Sequence, residues 1–292
     1  MRVLIVGCGD VGLRVARNLP ARVRVLALTS TPQRLEQLRG AGIVPLQGNL
    51  DAPRSLARLA GLAHRVVHLA PPPQEPQGAW WRDARTQALL RALRLRALPQ
   101  ALVYASTSGV YGDCAGARVS EARTVAPRTP RAQRRVDAER QLRAFGRAGV
   151  RASVLRIPGI YATDRAGGTP RERLLRGTPV LLREDDVYTN HIHADDLARA
   201  LLAALWRGRP QRSYNASDDS ELKMGDYFDL AADLYGLPRP PRVSRHTAQD
   251  QLPLVLLSFM GESRRLDNTR LKEELRVRLR HPTVATGLRP TA

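Results

Sequence analysis

Three glycines near the start of the chain, in the pattern Gly7-x-Gly9-x-x-Gly12, have the spacing of a turn that binds a pyrophosphate. They follow a short apolar run at residues 3–6 that is typical of a strand buried on both faces, and helical spacing follows them. The first glycine permits a tight turn, the second lets the backbone approach the pyrophosphate, and the third lets helix and strand pack closely. The N–H groups at the start of the helix then bind negative charge. The sequence therefore predicts a dinucleotide site here.

The second predicted strand, residues 23–28, ends where the adenosine ribose of a dinucleotide is recognised. NAD-binding proteins have an acidic residue there, whereas this chain has small hydroxyl side chains around Ser30. These hydroxyls, followed by Arg34, suit the 2′-phosphate of NADP better than the free ribose of NAD. The alternative is that Thr31 and Pro32 only cap the next helix. NADP is favoured over NAD, and both stay open.

Apolar runs with the length of strands alternate with helical patterns over the first 160 residues. Four further strands are predicted, at residues 43–47, 66–70, 101–105 and 151–157. This alternation predicts an α/β protein with a Rossmann doubly wound parallel sheet. Ligands bind such sheets beyond the carboxyl ends of the strands. The residues predicted to contact the cofactor at that edge are Gly7, Gly9, Asp10, Val11, Gly12, Ser30, Arg34, Asn49, Leu50, Leu69, Ala70, Pro71, Ser106, Ile157 and Pro158.

The chain of 292 residues has 47 basic and 27 acidic side chains, which give a formal net charge of +20. Lys223 and Lys272 are the only lysines, and the arginines are spread through predicted helices without a dense block. Aromatic residues make up only 4% of the chain, so no specific nucleic-acid surface is expected. The arginines indicate solvated helix faces, with anionic substrates such as nucleotide sugars, or incidental nucleic-acid binding, as the alternatives.

The rest of the composition is ordinary for a soluble globular protein, with 43% apolar residues. No apolar run approaches the roughly 20 residues that span a bilayer, and no leader peptide precedes the first strand. The two cysteines, Cys8 and Cys114, are far apart in sequence and suggest no disulfide framework. These features predict a cytoplasmic protein without membrane contact.

Six segments occur in an order and spacing typical of one protein family, namely residues 7–12, 67–70, 103–112, 155–161, 190–198 and 214–218. The most distinctive are Ser-Thr-Ser-Gly-Val-Tyr-Gly at 106–112 and Asn-His-Ile-His-Ala-Asp-Asp at 190–196. Together they resemble the extended short-chain dehydrogenase/reductases of the NAD(P)-dependent nucleotide-sugar epimerase/dehydratase group. The resemblance runs nearly end to end and implies a Rossmann sheet with a smaller C-terminal α/β lobe for the substrate.

The resemblance also implies an active site, from which this chain departs at two positions. A family Ser or Thr that hydrogen-bonds the reacting oxygen corresponds to Thr107. A family Tyr-x-x-x-Lys pair, which transfers the proton and holds the nicotinamide ribose, corresponds to Arg131 and Arg135. Arginine stays protonated and only donates hydrogen bonds, so Arg131 cannot replace the tyrosine, whereas Arg135 can still contact the ribose. The chain thus resembles the atypical branch that lacks this tyrosine.

Two phenols are alternative proton donors, Tyr111 in the loop after the fifth strand and Tyr161 after the sixth. The alternative for each is a half-buried aromatic side chain whose hydroxyl has a structural partner. The resemblance also implies that a basic residue of the second lobe, Arg264 or Arg265, contacts the diphosphate of a nucleotide sugar.

The segment His191-Ile-His193-Ala-Asp195 has a spacing known from zinc ligands. However, it leads into an amphipathic helix whose dipole Asp195 or Asp196 would complement, and the sequence shows no further cluster to complete a ligand shell. No metal site is predicted.

We expect residues 1–160 to bind NAD(P) and residues 161–292 to form the substrate lobe, with residues 186–215 returning to the Rossmann sheet. The expected function is an oxidoreductase or epimerase-like protein that, if active, transfers hydride to or from a carbonyl or hydroxyl carbon of a small or nucleotide-linked substrate. Loss of the Tyr–Lys pair motivates a second hypothesis, a non-catalytic NAD(P)-binding sensor or regulatory protein. A homodimer through the helices that flank the fifth strand is compatible with the family resemblance.

Overall fold

The computed structural model describes residues 1–74 and 79–289. Its strands are β1 (Arg2–Val6), β2 (Arg24–Thr29), β3 (Val44–Gln47), β4 (Arg65–His68), β5 (Ala101–Thr107), β6 (Arg118–Val119), β7 (Arg151–Ile157), β8 (Gly159–Tyr161), β9 (Val180–Leu181), β10 (Tyr188–Thr189), β11 (His191–His193), β12 (Arg212–Asn215), β13 (Leu222–Lys223), β14 (Arg242–Val243) and β15 (Arg265–Leu266). Its helices are α1 (Asp10–Arg17), α2 (Arg34–Gly40), α3 (Ala84–Leu93), α4 (Pro130–Gly146), α5 (Arg171–Leu175), α6 (Ala194–Arg207), α7 (Met224–Tyr235), α8 (Arg245–Gln251), α9 (Leu254–Met260), α10 (Thr269–Glu273) and α11 (Val284–Gly287). Short 3-10 helices cover Pro53–Leu59 and Ser108–Tyr111.

A seven-stranded parallel sheet, in the order β12-β7-β5-β4-β1-β2-β3, organises the molecule. In its centre β1 pairs with β2 and β4, so that Ile5 lies in register with Ala27 and Val67. Residues 3–6 and 102–104 are fully buried, as expected for strands that are covered on both faces. The predicted Rossmann class is therefore confirmed, and all six strands predicted from the sequence are present.

Helices cover the two faces of this sheet and create two apolar layers. On one face α1 and α6 pack together, and Leu201 of α6 belongs to the same buried cluster as Val103 of β5. On the other face α3 and α4 pack together, and Leu142 of α4 clusters with Leu102 of β5. Because successive strand residues point to opposite faces, neighbours in β5 serve opposite layers. The sheet edge that the loops form is thus held rigidly from both sides.

The chain crosses between the sheet and a smaller lobe. After β7, the strand β8 pairs in parallel with β11, and α6 follows β11 directly. The seventh sheet strand, β12, pairs with β7 with Tyr214 opposite Leu155. The smaller lobe has its own apolar cluster, which includes Val180, Phe228 and Ala248. Residues 290–292, at the end of the second predicted domain, lie outside the described residues.

Capping decides where α3 begins. The Asp83 carboxylate accepts a hydrogen bond from the Thr86 amide at 3.0 Å and caps the helix there. After β15 the chain forms two short helices, α10 and α11. No helix in the described ranges has the length and apolar content that crossing a membrane requires.

Candidate functional site

The glycine turn between β1 and α1 leaves open space where the sequence predicts a pyrophosphate. Gly7 has φ +85°, and a Cβ there would lie 2.5 Å from the Ala70 nitrogen. At Gly12 a Cβ would lie 3.2 Å from Cys8 Sγ, so a side chain would push helix and strand apart. At Gly9, in contrast, a Cβ would meet no atom within 4 Å. The first three N–H groups of α1 donate to no backbone carbonyl in the described ranges and remain free for an anion.

Ser30 and Arg34 lie beyond the end of β2. Ser30 is exposed, and Arg34 begins α2. Burial raises the pKa of the Cys8 thiol in the glycine turn to about 11, and the Arg34 guanidinium partly opposes this effect, so Arg34 is a cation close to the turn. The alternative in which Thr31 caps this helix is wrong, because Gln33 occupies the N-cap position and no side chain caps α2.

Hydrogen bonds brace the loop after β3 against the loop after β4. Asn49 Oδ1 accepts from the Asp51 amide at 3.0 Å, and buried Leu50 lies between them. The Asp51 carboxylate pairs with Arg85 at 2.6 Å, which holds the pKa of that carboxyl below its usual range. Arg85 also donates to the Pro71 carbonyl at 3.2 Å. Both loops that are predicted to contact the cofactor are therefore fixed in the protein.

The remaining sheet-edge residues contribute backbone more than side chains. The amides of Leu69 and Ala70 donate to the Val6 carbonyl at 2.7 and 3.1 Å, which joins their loop to β1. Ser106 is 4% exposed, and its hydroxyl donates to Glu139 Oε1 at 2.7 Å inside the protein. The Ser106 side chain is thus committed to the core, so only its backbone remains for a cofactor.

A cleft of about 640 Å³ lies beyond the carboxyl ends of β5 and β7. The residues predicted from the sequence that line it are Thr107, Arg131, Pro158, Tyr161 and Arg264, whereas Ile157 is buried at the end of β7. The aromatic residues of the smaller lobe that line the cleft are Tyr188, Tyr227, Phe228 and Phe259.

Thr107 is the last residue of β5, so the rigid sheet presents it to the cleft. Its hydroxyl oxygen accepts a hydrogen bond from the Gly109 amide at 3.2 Å. Within the described part of the chain the hydroxyl donates to no acceptor, which leaves its hydrogen free for an oxygen in the cleft.

Arg131 lies in the first turn of α4, where Pro130 and the Thr129 cap start the helix. Its guanidinium carbon lies 5.6 Å from the ring centroid of Phe259 across the cleft. The pKa of Arg131 is lowered, first by partial burial and then by Arg135, while Glu262 acts in the opposite direction. Arg131 remains a cation, because an arginine pKa stays far above neutral pH. It therefore puts positive charge in the cleft that Thr107 also lines.

Arg135 lies one turn further along α4 but binds the sheet. Its Nη1 donates to the Ala105 carbonyl at 2.6 Å and to the Tyr104 hydroxyl at 3.0 Å. Behind Tyr104 lies fully buried His68, and burial together with the Arg135 charge lowers the pKa of His68 to about 3. His68 is thus neutral at physiological pH. In this structure Arg135 is a clamp on the end of β5.

Tyr111 is not brought to the cleft. The side chain is fully buried, and its hydroxyl donates to Asn215 Oδ1 at 2.7 Å while accepting from Arg156 Nη1 at 2.9 Å. Burial is the largest influence on its pKa, which is raised. The structural alternative that the sequence left open for Tyr111 is the one the structure shows, and Tyr111 has no access to a substrate.

Tyr161 does line the cleft, although it is only 2% exposed. Its hydroxyl donates to the Thr283 carbonyl at 3.2 Å. Burial, followed by the nearby Asp218 carboxyl, raises the pKa of Tyr161. Burial also raises the pKa of Asp218 to about 7. Tyr161 therefore stays protonated at neutral pH, with its proton donated to the Thr283 carbonyl.

The segment His191–Asp195, whose spacing is known from zinc ligands, has His281 as a further neighbour in the structure. One ring nitrogen of His281 and one ligand atom each from His193 and Asp195 lie within 4.8 Å of one another. However, Asp195 is paired with Arg14 at 2.5 Å, and His193 Nδ1 accepts from the Asp195 amide at 3.2 Å. These groups are already engaged within the protein, and the absence of a metal stays a prediction.

Sequence reasoning missed two arginines at the site, Arg14 and Arg165, because each has a partner that lies far away in the chain. Arg14 is 5% exposed and pairs with Asp164 at 2.6 Å as well as with Asp195. Arg165, which lines the cleft, lies 3.2 Å from Asp10 at the start of α1. These pairs fasten the loop after β8 to the glycine turn. Only the helical spacing around Arg14 gave a local signal, and it suggested an exposed face.

The two basic residues predicted to contact a diphosphate, Arg264 and Arg265, lie in different environments. Arg264 lines the cleft, is 9% exposed, and pairs with Glu262 at 2.7 Å. Arg265 donates to the Gly116 carbonyl at 2.9 Å and packs over the Tyr188 ring, and it does not line the cleft. Of the two, only Arg264 can meet a ligand there.

Fold and site together define an α/β protein of the Rossmann class, with a glycine turn at the sheet edge and a cleft between sheet and lobe. The sequence matches the family model described as NAD dependent epimerase/dehydratase family over residues 3–217. The chain therefore belongs to the NAD-dependent epimerase/dehydratase family, and the resemblance stated from its sequence motifs is confirmed. No curated protein gives a significant sequence match.

Solved structures agree with this assignment. A conserved protein of unknown function from Silicibacter pomeroyi is 30% identical, with a TM-score of 0.82 and coverage of 98% of this chain and 96% of the other. MoeE5 in complex with UDP-glucose and NAD is 24% identical, with a TM-score of 0.76 and coverage of 99% and 96%. The UDP-glucose 4-epimerase of Thermotoga maritima with UDP-glucose is 20% identical, with a TM-score of 0.78 and coverage of 99% and 96%. The last two show the shared fold.

Proposed function

We propose that this protein is an NAD(P)-dependent oxidoreductase or epimerase-like enzyme that acts on a carbonyl or hydroxyl carbon of a small or nucleotide-linked substrate. The observation that carries the proposal is that Thr107 and Arg131 line one cleft, at the sheet edge that also carries the glycine turn. Family membership supports enzymatic activity. The bound UDP-glucose of MoeE5 favours a nucleotide-linked substrate.

The residues at the glycine turn fit a dinucleotide. The open space at Gly9 and the free N–H groups of α1 suit a pyrophosphate. The family is described as NAD dependent, whereas Ser30 and Arg34 favour the 2′-phosphate of NADP, which is the cofactor we propose. When bound, its nicotinamide supplies a hydride donor or acceptor. The protein contributes orientation, charge and proton transfer.

We assign three separate catalytic roles to side chains that line the cleft. The free hydrogen of Thr107 is donated to the reacting oxygen and orients it. Arg131 stabilises negative charge that develops on that oxygen. Tyr161 is the phenol that remains at the cleft once Tyr111 is found in the core, and it acts as proton donor only by exchanging its hydrogen bond to the Thr283 carbonyl for one to the substrate. Arg135 acts through the end of β5, which it holds in place.

Replacement of Thr107 separates binding from chemistry. Thr107→Val should lower kcat about 100-fold, because the hydrogen bond to the reacting oxygen is lost, with cofactor affinity unchanged. Thr107→Ser is the matched control and should keep most of the activity, since it preserves the hydroxyl. Turnover would be followed by nicotinamide absorbance with UDP-sugars as substrates, and cofactor affinity by fluorescence titration. A wild-type protein that binds neither NADPH nor NADH would refute the proposal.

A second candidate, the non-catalytic NAD(P) sensor, has one observation in its favour. Neither Arg131 nor Arg135 can transfer a proton, and Tyr111 is fully buried. A sensor predicts tight cofactor binding, no turnover with any substrate, and no gain of turnover in the double variant Arg131→Tyr with Arg135→Lys. Activity of the wild type that Thr107→Val abolishes would exclude the sensor.

We also propose the division into residues 1–160 and 161–292, in which residues 186–215 return to the sheet; the pairing of β12 with β7 supports this return. A cytoplasmic location is proposed as well and is compatible with the free, buried thiols of Cys8 and Cys114. A homodimer through α3 and α4 is proposed from the family resemblance, and sedimentation velocity would test it.

A further inference from the structure

Besides the cleft, the structure contains a groove of about 440 Å³ at the amino ends of the sheet strands. Met1 and Val23 line this groove directly before β1 and β2, whereas the glycine turn and the cleft lie beyond the carboxyl ends of the strands. Its volume is in the range of small-molecule sites. The groove is therefore separate from the site described above and lies at the opposite edge of the same sheet.

The floor of the groove is apolar and half-buried. Leu202, Ala203 and Trp206 of α6 line it, together with Leu19 after α1, and all four pack against the core cluster on this face of the sheet. The Arg65 guanidinium carbon lies 5.2 Å from the Trp206 ring centroid and packs over the indole. This floor is thus fixed by the core, and it offers the apolar part of a ligand a surface that excludes water.

The charged side chains that line the groove are all arginines, and the described residues around it include no acid; they are Arg22, Arg199, Arg207 and Arg276. Arg199 pairs with Asp196 at 2.9 Å, and Arg207 donates to the Leu275 carbonyl at 2.9 Å. Within residues 1–74 and 79–289, no carboxylate forms an ion pair with the other three arginines. The rim of the groove therefore complements a negative charge.

Arg276 lies at a backbone position that favours glycine. Its φ is +54°, in the left-handed region. The Val277 amide donates to the Leu271 carbonyl at 3.4 Å and closes the turn after α10 around Arg276, and glycine is the usual residue at such a helix end. An arginine there is strained, and its side chain makes no hydrogen bond or ion pair in the described part of the chain that would offset the strain. Strained residues are concentrated at ligand sites.

We propose that this groove binds a small organic anion, a carboxylate on an apolar body, with the carboxylate at the Arg276 guanidinium and the apolar body on Ala203 and Trp206. An alkyl chain and an aromatic ring share this chemistry. A neutral molecule of the same shape lacks the charge that the arginines complement, and acetate lacks the apolar body. The site goes beyond the proposed function and does not depend on it, because it lies at the other edge of the sheet.

Calorimetric titration of the full chain with octanoate and with 2-naphthoate tests this site and distinguishes an alkyl from an aromatic ligand. At least one of the two should bind with a Kd of about 0.1–1 mM, the range expected for ligands of this size. The matched neutral probes, 1-octanol and 2-naphthol, should bind at least about fivefold more weakly, and so should acetate.

Two variants locate the site in the groove. Arg276→Gly removes the guanidinium, and Ala203→Leu fills part of the apolar floor, so each should raise the Kd of the carboxylate at least about fivefold. Ala115→Gly is the matched control for Arg276→Gly, because Ala115 also has a positive φ, of +50°, and does not line the groove. This control should keep the Kd of the wild type.

Thermal unfolding separates a binding role of Arg276 from a structural one. Arg276→Gly should unfold at the same temperature as the wild type or higher, because glycine adopts a positive φ without strain. A lower unfolding temperature of this variant would assign Arg276 to the fold and overturn the proposal. It would equally be overturned by a wild type that binds neither carboxylate, by equal affinity for the neutral probes, or by an unchanged Kd in either groove variant.

Discussion

Glu139 on α4 and Arg156 on β7 form an ion pair inside the protein, with Nη2–Oε2 and Nε–Oε1 distances of 2.8 and 3.2 Å. The side chains are only 4% and 3% exposed. The same carboxylate accepts from Ser106, the residue before Thr107. Glu139→Gln should lower the free energy of unfolding by about 3–5 kcal/mol, since it leaves a buried guanidinium without its counter-charge. Urea denaturation measures this difference.

Two controls accompany that prediction. Replacing both partners, Glu139→Met with Arg156→Met, should recover most of the lost stability, because no charge is then left buried alone. Asp233→Asn, which breaks the exposed pair with Arg239, should leave the urea midpoint nearly unchanged. A Glu139→Gln variant as stable as the wild type would show that the buried pair is not needed.

Gly9 provides a test of cofactor binding that does not disturb the fold. A Cβ at Gly9 meets no protein atom within 4 Å, and its φ of −81° is allowed for alanine. Gly9→Ala should therefore fold normally and yet raise the Kd for NADPH at least about tenfold, because the methyl group occupies the space of the pyrophosphate. Gly40→Ala, equally free of contacts, is the matched control. Equal NADPH affinity in both variants would place the pyrophosphate elsewhere.

Arg34 should decide the preference between the two cofactors. Arg34→Gln should weaken NADPH binding about tenfold and leave NADH binding unchanged, because only NADPH carries the 2′-phosphate. Arg39→Gln removes a charge from an exposed position of the same helix and should change neither affinity. Fluorescence titration of both cofactors measures the ratio. Loss of NADH affinity in Arg34→Gln would contradict the assignment of Arg34 to the phosphate.

Asp218 should make stability depend on pH in a defined window. Burial raises the pKa of its carboxyl to about 7, whereas the unfolded chain has the ordinary value near 4. The folded protein therefore holds a proton between these values, and the associated stabilisation is complete below about pH 4 and lost as the pH rises through about 7. Asp218→Asn does not titrate. Its stability relative to the wild type should rise over this window by about 2–4 kcal/mol and then stay constant.

Urea denaturation at pH 5 and pH 8 measures that difference. The comparison with the wild type isolates Asp218, because the buried histidines titrate equally in both proteins. Asp233→Asn is the control, and its difference from the wild type should be the same at both pH values, since the pKa of Asp233 lies below its usual range. A constant difference for Asp218→Asn would mean that the carboxyl is ionised in the folded protein across the range.

Periodicity and turn chemistry were enough to predict the sheet and its edge. The run from Val3 to Val6 has no polar residue, so only a strand covered on both faces can accommodate it. Six strands and the glycine turn follow from such local patterns. The short strand β12 was harder to predict from the sequence, because it begins with the polar residues Arg212 and Ser213. It forms a strand by pairing with the edge of β7.

The candidate site shows the limit of local patterns. Thr107 and Arg131 were found from the sequence because each stands at a motif position, and both line the cleft. Tyr111 also stands at a motif position, yet its hydroxyl is bound in the core by Asn215 and Arg156, which are distant in the chain. Nothing in its sequence neighbourhood distinguishes a hydroxyl that faces a cleft from one that faces a buried amide.

The sequence by itself determined the sheet, the glycine turn and the family, because backbone conformation and strand burial depend on neighbouring residues. Only the tertiary structure decided which arginines are paired. Arg14 has Asp164 and Asp195, and Arg156 has Glu139, whereas Arg173 has no carboxylate in the described part of the chain. A charge is satisfied by whatever lies within about 4 Å of it, and that distance is set by packing between elements that are far apart in the sequence.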